Sequence, residues 1–373
     1  MSKNMSCVNV IHYVSRMDRA GQETLIMNIF RNIDRKRVNF EFLCSEQGKG
    51  DYDDEIISLG GKIHHIQLNR ISGKMKQLDN RRILCRYLKS RNQEIQVFHI
   101  HTQHAMDAYL AATAALHAGI PKVIVHSHNT SAQLHLFAHK VFKILLNTLP
   151  ITRFACGVDA GKWMFGSTKN TVIHNAVDLD RFTFDEVKRK QVREQMHWED
   201  QIIVGHVGRF NIQKNHSYLI DIFRSLHASI PESRLVLVGQ GELEPEIREK
   251  VSSLGLDDAV SFLGIRADME LLYQGMDIFL LPSLYEGLPV VLVETQAEGL
   301  PCFISDTITR EIDIIPNLFR LAIDVDAADW SKKISEYLSR GISRQKTDSY
   351  MKKAGYDIKL VAKELEGFYT LQS

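Results

Sequence analysis

Short β-branched runs alternate with longer stretches of helical period along the first half of the chain. V-N-V-I-H-Y-V (8–14) reads as a strand, and E-T-L-I-M-N-I-F-R-N-I (23–33) as the helix after it. N-F-E-F-L-C (39–44), K-I-H-H-I (62–66), V-F-H-I-H (97–101) and K-V-I-V-H-S-H (122–128) predict further strands, separated by helices such as 81–90. A charged stretch over 178–195 interrupts the rhythm and is expected to connect two domains. The alternation then resumes, with strands expected at 201–208, 233–239, 259–264, 276–283 and 301–306. This pattern predicts an α/β protein made of βαβ units with two parallel sheets. Open parallel sheets bind ligands beyond the carboxyl ends of their strands, so two such domains invite a cleft between them. Two helices stand out by period: an apolar one over 134–149 carrying His135, His139, Lys140 and Lys143, and a C-terminal one over 354–369. The first is expected to face a core, with docking of an amphipathic surface on a membrane as the sharper alternative.

Length agrees with the pattern. At 373 residues the chain exceeds one ordinary core and suits two domains of roughly 150 to 200 residues. Hydrophobic residues at 44% and charged residues at 24% are those of a globular protein, which excludes disordered, fibrous and membrane-embedded classes. The first residues carry no apolar leader pattern, and no apolar run approaches the roughly 20 residues that span a bilayer, so the chain is expected in the cytosol, or peripheral on the inner face of a membrane. Cys7, Cys44, Cys85, Cys156 and Cys302 show no CxxC or metal-type spacing and are assigned no chemistry. The net charge of +1 hides an asymmetry. Residues 1–180 hold 23 Lys+Arg against 15 Asp+Glu, and residues 181–373 hold 23 against 30. A basic first half suits an anionic membrane or a phosphorylated acceptor, but it lacks the interleaved aromatics that favour nucleic acid.

Candidate chemistry concentrates in the second half. In L-P-S-L-Y-E-G-L-P-V-V-L-V-E-T-Q-A-E-G-L-P (281–301) a buried strand ends at Pro282, a loop carries Glu286 and Gly287, and a helix is expected to begin near Pro289. Free N–H groups of that first turn, at the positive end of the helix dipole, seat a phosphate. Glu286 and Glu294 can accept hydrogen bonds from sugar hydroxyls. Upstream, H-V-G-R-F-N-I-Q-K-N-H (206–216) sets Arg209 and Lys214 after a strand, where cations would neutralise a departing diphosphate. V-G-Q-G-E (238–242) adds a glycine-lined strand exit. Taken singly these are surface charges, a helix cap and turn glycines; their joint order is what carries weight.

Arg209 with Lys214, then V-G-Q-G-E, then F-L-G (262–264), then P-S-L-Y-E-G-L-P-V-V-L-V-E resemble the ordered C-domain motifs of glycosyltransferase family 4. The resemblance runs through nearly the whole chain and is most specific over E-G-L-P-V-V-L-V-E-T-Q-A-E-G-L-P, which looks like the capsular and exopolysaccharide branch. It implies a GT-B fold of two Rossmann-like domains facing a cleft, an acceptor domain at 1–178 plus 355–373 and a nucleotide-sugar domain at 179–354. It implies retaining transfer of a hexosyl unit from an NDP-sugar, a UDP-sugar by expectation, to a saccharide or lipid-linked saccharide. Arg209 and Lys214 would hold the donor diphosphate, Glu286 the transferred sugar, and Glu294 the ribose. Gly208, Gly239, Gly241, Gly264, Gly287, Leu288, Val290 and Val291 would line the donor. No cofactor or metal is expected.

In the first half the family places a glycine-rich loop after the first strand. Here R-M-D-R-A-G-Q-E (16–23) has Ala20 where the first glycine is expected, so only Gly21 is carried over. V-H-S-H-N-T (125–130) resembles the segment that brings a histidine to the transferred sugar; His128 aligns best and His126 competes. His99, His101, His104, His126, His128 and His135 fall close together but match no zinc spacing. D-L-D (178–180) looks like the interdomain hinge. A sugar-nucleotide 2-epimerase of the same fold and a non-catalytic subunit binding a glycan or lipid carrier are the rival readings. A nicotinamide dehydrogenase is disfavoured because no G-x-G-x-x-G opens the first helix.

Overall fold

The computed structural model describes residues 7–68, 74–129 and 136–371, with the backbone alone for 74–78. The six N-terminal residues and His135 lie outside the described residues. The chain divides into two compact units, Met1–Ala176 with Asp357–Ser373, and Val177–Tyr356.

In the first unit the order is β1 (Val8–Val14), α1 (Gly21–Asn32), β2 (Val38–Cys44), α2 (Asp53–Ser58), β3 (Lys62–His65), α3 (Lys74–Ser90) and β4 (Val97–Thr102). It continues through α4 (Ala105–His117), β5 (Lys122–Ser127), α5 (Leu136–Asn147), β6 (Thr152–Ala155), α6 (Val158–Phe165) and β7 (Thr171–Val172). The strands pair in parallel in the order β3-β2-β1-β4-β5-β6-β7. Both faces of this sheet are covered, which is why its strands read as nearly continuous apolar runs. Along β1, Val10 and Val14 enter one core with Phe40, Phe42 and Phe154, whereas Ile11 enters the other with Phe98, Ile100 and the alanines of α4.

The second unit runs α7 (Glu186–Met196), β8 (Ile202–Val207), α8 (His216–Ser229), β9 (Ser233–Val238), α9 (Glu244–Ser253), β10 (Val260–Phe262), α10 (Met269–Gly275) and β11 (Ile278–Leu281). It ends with α11 (Val290–Ala297), β12 (Cys302–Ser305), β13 (Leu318–Leu321), α12 (Ala327–Leu338) and α13 (Asp348–Lys353). The sheet order β10-β9-β8-β11-β12-β13 is that of a doubly wound fold. The last helix, α14 (Ile358–Thr370), belongs to the first unit. Asp357 caps it by accepting from Lys359 N–H, and Ile358, Val361, Ala362, Leu365 and Tyr369 join the β1–β2 core.

Some expectations shift for identifiable reasons. The charged stretch 178–195 is part of the second unit rather than a connection: α7, capped by Asp185, presents Arg189 and Arg193 to Asp277, which is 2% exposed just before β11. Charges that read as solvated thus satisfy a buried acid that also accepts from Ile203 N–H at 2.7 Å. The strand expected over 276–283 contracts to 278–281, since Pro282 lacks an N–H for the ladder. That over 259–264 contracts to 260–262, and Gly264 turns away at φ +64. Pro289 is the N-cap of α11, not its first residue. The apolar helix α5 turns one side to the α4 core, where Leu146 is buried and Phe142 packs, while Phe137 and Ile144 on its other side are 82% and 70% exposed.

Candidate functional site

In the second unit the strand order reverses between β8 and β11, whose parallel pairing sets Val204 opposite Ile278 and Gly205 opposite Phe279. Everything beyond Val207 and beyond Leu281 therefore meets at the crevice where doubly wound sheets bind ligands. Lys214 and Glu286 meet there, with Nζ–Oε1 at 2.6 Å and side chains only 14% and 8% exposed. Gln213, in the same 3₁₀ turn, donates to the other carboxylate oxygen at 3.0 Å and to Tyr285 O, while Leu284 N–H donates to Gln213 O at 2.8 Å. Asn211 caps that turn through Lys214 N–H, and Asn215, in the left-handed region at φ 56, donates to Pro282 O. Two loops separated by over 70 residues are thereby laced into one rigid floor.

Glycine is required at this floor by close backbone approach. A Cβ on Gly239, whose φ is +135, would lie 2.1 Å from Gly208 O, and one on Gly241 would lie 2.4 Å from Phe210 O. At Gly208 a Cβ would press on the Lys214 side chain at 3.0 Å. Gly239 N–H donates to Gly264 O at 2.8 Å, so the exits of β8, β9 and β10 stack through Gly208, Gly239 and Gly264.

Arg209 and Lys214 are not a joint pair in this state. Arg209 reaches outward to Glu242 at 3.2 Å, and both side chains are more than half exposed. Such a contact contributes little and leaves Arg209 free to swing onto an anion. Gly287 and Leu288 lie in the loop from β11 to α11, with Leu288 buried, and the side chains of Val290 and Val291 pack against the core. Pro289 supplies no side-chain cap, so the first turn of α11 presents its N–H groups to the loop. Glu294 stands on α11 and accepts from Tyr273 O–H at 2.9 Å; burial pushes its carboxyl up to about 7.

In the first unit Gly21 is the first residue of α1 rather than part of the preceding loop, and Ala20 is an extended N-cap with no side-chain bond. His128 is half-buried just beyond β5, whereas His126 is fully buried within it. Three adjacent strands place His12, His99, His101 and His126 on one sheet face with His128 next to them. Ring centroids lie 4.2 Å apart for His99–His101 and for His126–His128. His12 Nδ1 lies 2.9 Å from His101 Nε2, and His101 Nδ1 lies 2.9 Å from His128 Nε2. Among the described residues, two triads bring ring nitrogens within 4.8 Å of one another, His12–His99–His101 and His101–His126–His128, and these are the groups placed to hold an ion. Desolvation holds His12 and His128 down to about 3, and burial holds His99, His101 and His126 well below the ordinary histidine range.

Sequence reasoning missed Gln213, Tyr273 and His12. Gln213 lies inside the quoted motif and was available to it. The i, i+2 histidines at 99/101 and 126/128 signal a shared strand face, but nothing in the sequence aligns His12 beside them.

A family model described as "Glycosyl transferases group 1" matches residues 187–356. The putative glycosyltransferase EpsF of Bacillus subtilis is 33% identical over 370 residues, which cover 95% of this chain and 94% of that protein. A UDP-Gal:alpha-D-GlcNAc-diphosphoundecaprenol alpha-1,3-galactosyltransferase of Escherichia coli is 25% identical over 302 residues, 76% of each chain. Among solved structures, Anabaena Alr3699/HepE in complex with UDP and glucose superposes with a TM-score of 0.76 at 18% identity, covering 96% of this chain and 98% of that one. The fold is that of the GT-B transferases.

Proposed function

We propose that this chain, which belongs to the group 1 glycosyltransferases, moves a hexosyl unit from a UDP-sugar to a hydroxyl of a saccharide or lipid-linked saccharide in polysaccharide assembly, with retention at the anomeric carbon. The observation that carries the donor half of this reading is the Lys214–Glu286 pair at 2.6 Å, held over stacked glycines where β8 and β11 diverge. Lys214, with Arg209 swinging inward, stabilises the charge that develops on the departing diphosphate, and the N–H groups of Val290 and Val291 add the α11 dipole. Glu286 accepts from hydroxyls of the transferred sugar. Glu294, oriented by Tyr273, accepts from the ribose. His128 is assigned to the transferred sugar through the family resemblance. These groups supply the stabilising charge themselves, so the reading calls for no metal or cofactor. The UDP named with the Anabaena structure and the lipid diphosphate acceptor named for the Escherichia coli relative support the two substrates.

Incubation with a panel of UDP- and GDP-sugars, first for donor hydrolysis and then with lipid-linked saccharides, tests the reading. The expected product is an α-linked saccharide from an α-linked UDP-sugar. Donor consumption without acceptor that yields an epimerised nucleotide sugar would identify a 2-epimerase instead.

The membrane part of the acceptor reading rests on α5, where Phe137, Val141, Ile144 and Leu145 are exposed on one side and Lys140 flanks them. Burying an exposed Phe or Ile contributes roughly 1.5 to 3 kcal/mol. The double change Phe137→Ser and Ile144→Ser is therefore expected to weaken binding to anionic phospholipid vesicles by tenfold or more, on the order set by that burial. Sedimentation with anionic and zwitterionic vesicles measures it. Wild-type binding that is absent, or indifferent to anionic lipid, removes docking from the reading. No helix among the described residues is long and apolar enough to cross a membrane.

A further inference from the structure

Gln213 is bonded to three consecutive residues of the loop between β11 and α11. Its backbone oxygen accepts from Leu284 N–H at 2.8 Å, and its side-chain Nε2 donates to Tyr285 O at 3.0 Å and to Glu286 Oε2 at 3.0 Å. Both side-chain partners are oxygens that accept and do not donate: one is a peptide carbonyl, the other belongs to the carboxylate paired with Lys214. The amide can therefore face them only through its NH₂ group, one N–H for each. A flipped amide would set its oxygen against two others.

Glu286 carries the consequence. Lys214 Nζ holds Oε1 at 2.6 Å and Gln213 holds Oε2, so each oxygen is engaged once. A carboxylate offers about four lone-pair sites, and the two bonds leave one free on each oxygen. With the contact at Oε1 alone the group could turn about its Cγ–Cδ bond, a torsion whose intrinsic preference is broad. The second contact, at Oε2, fixes the plane and with it the direction of the remaining lone pairs. Lys214 brings charge to this arrangement, whereas Gln213 is neutral and brings direction.

The two loops do not depend on this amide to meet. Leu284 N–H bonds to the backbone of residue 213, Asn215 Nδ2 donates to Pro282 O at 3.2 Å, and Asn211 caps the turn through Lys214 N–H, whatever side chain stands at 213. We propose that Gln213 is a positioning residue that fixes the carboxylate plane of Glu286, so that Glu286 accepts from hydroxyls of the transferred sugar in one preset direction. The proposal rests on the assignment of Glu286 to that sugar. Gln213 then acts on the sugar end of the donor, through Glu286, and leaves the diphosphate end to Lys214.

The test uses the full chain, the best donor of the nucleotide-sugar panel, and UDP as a probe that lacks the sugar. Gln213→Ala is expected to lower kcat/KM for the donor by about tenfold, the worth of one hydrogen bond to a charged group. Its Kd for UDP, measured by calorimetry, is expected to stay within about twofold, because UDP has no sugar for Glu286 to meet. A merely structural role would move both, since Lys214 follows Gln213 in the same turn. Gln213→Glu keeps the shape, removes both N–H donors and sets a like charge beside Glu286, so it is expected to lose at least as much turnover at about pH 8. In a Glu286→Ala background, Gln213→Ala is expected to cost less than about twofold, because a residue that acts through another has nothing left to act on. Either folded Gln213 variant within about twofold of wild-type kcat/KM overturns the proposal. So does UDP affinity that falls in step with turnover, or the same loss repeated in the Glu286→Ala background. Wild-type turnover in Glu286→Ala overturns the sugar assignment itself, and the proposal with it.

Discussion

Replacing Lys214 with alanine is expected to lower turnover of every accepted donor by on the order of 100-fold or more, the typical loss when one preorganised electrostatic stabiliser is removed from an active site. Lys214 is the least exposed cation at the β8 exit, and its Nζ touches Glu286 at 2.6 Å. The substitution does two things at once. It removes the charge proposed to stabilise the leaving diphosphate, and it leaves Glu286, 8% exposed, with Gln213 as its remaining side-chain donor among the described residues. Stability is therefore expected to fall too, by about 1 to 3 kcal/mol for a carboxylate stripped of its partner. Glu286→Gln keeps the cation but strips the 14%-exposed Lys214 of its counter-charge, so a stability loss of similar size, about 1 to 3 kcal/mol, should come without loss of the cation itself. Arg209→Ala, with its loose outward contact to Glu242, should change stability negligibly and act on turnover alone. Steady-state kinetics on the best donor, paired with calorimetric unfolding, measures all three. A folded Lys214→Ala chain within about threefold of wild-type turnover would remove diphosphate stabilisation from this crevice.

Acidification from pH 7.5 to 5.5 is expected to loosen the first unit selectively. His12, His99, His101 and His126 are 0–5% exposed, and burial depresses each well below the unfolded value of about 6.5. The unfolded state then binds protons that the folded state refuses, so stability is fully present above pH 6.5 and falls as pH drops below it. The slope approaches about 1.4 kcal/mol per pH unit for each ring. His128 and His139, also depressed, act in the same direction. Glu23, pushed by burial up to about 7, opposes them, because its folded form gains protons first. The net loss at pH 5.5 is on the order of 5 kcal/mol, a large share of an ordinary domain's stability. The second unit is balanced differently: His206 and His216 are depressed, but burial raises both Glu294 and Glu298. Its stability should stay nearly level over the same range. Hydrogen exchange at the two pH values, corrected for intrinsic rate, should show protection lost in β1, β4 and β5 and kept in β8, β9 and β11. Equal loss in both sheets would show that the stacked rings are not held neutral.

Most of the strands were legible in the sequence because they are buried on both faces. Continuous β-branched runs such as Lys122–Ser127 and Ser233–Val238 therefore announce themselves within a residue or two. The short edge strands Thr171–Val172 and Leu318–Leu321 carry no comparable run and were not anticipated. The motif residues of the second unit were legible as an ordered set, and Glu286 and Glu294 stand near the start of α11 and on it, as their spacing implied. Amino-acid types and local order also determined the doubly wound class, since alternating elements with buried strands leave few other arrangements.

What the tertiary structure decided is who touches whom. The meeting of Lys214 with Glu286 follows from β8 lying beside β11, a neighbour relation that no local period encodes. The separation of Arg209 from Lys214, the outward face of α5 and the capture of Arg189 and Arg193 by Asp277 are likewise outcomes of packing. The histidine line is the clearest case. Spacing put His99 with His101 and His126 with His128 on strand faces, but the β1–β4–β5 adjacency brought His12 and His101 within a hydrogen bond across 89 residues. Side-chain periodicity is a property of one strand, whereas hydrogen bonds between strands depend on their order and register, and these are set by the burial of both sheet faces at once.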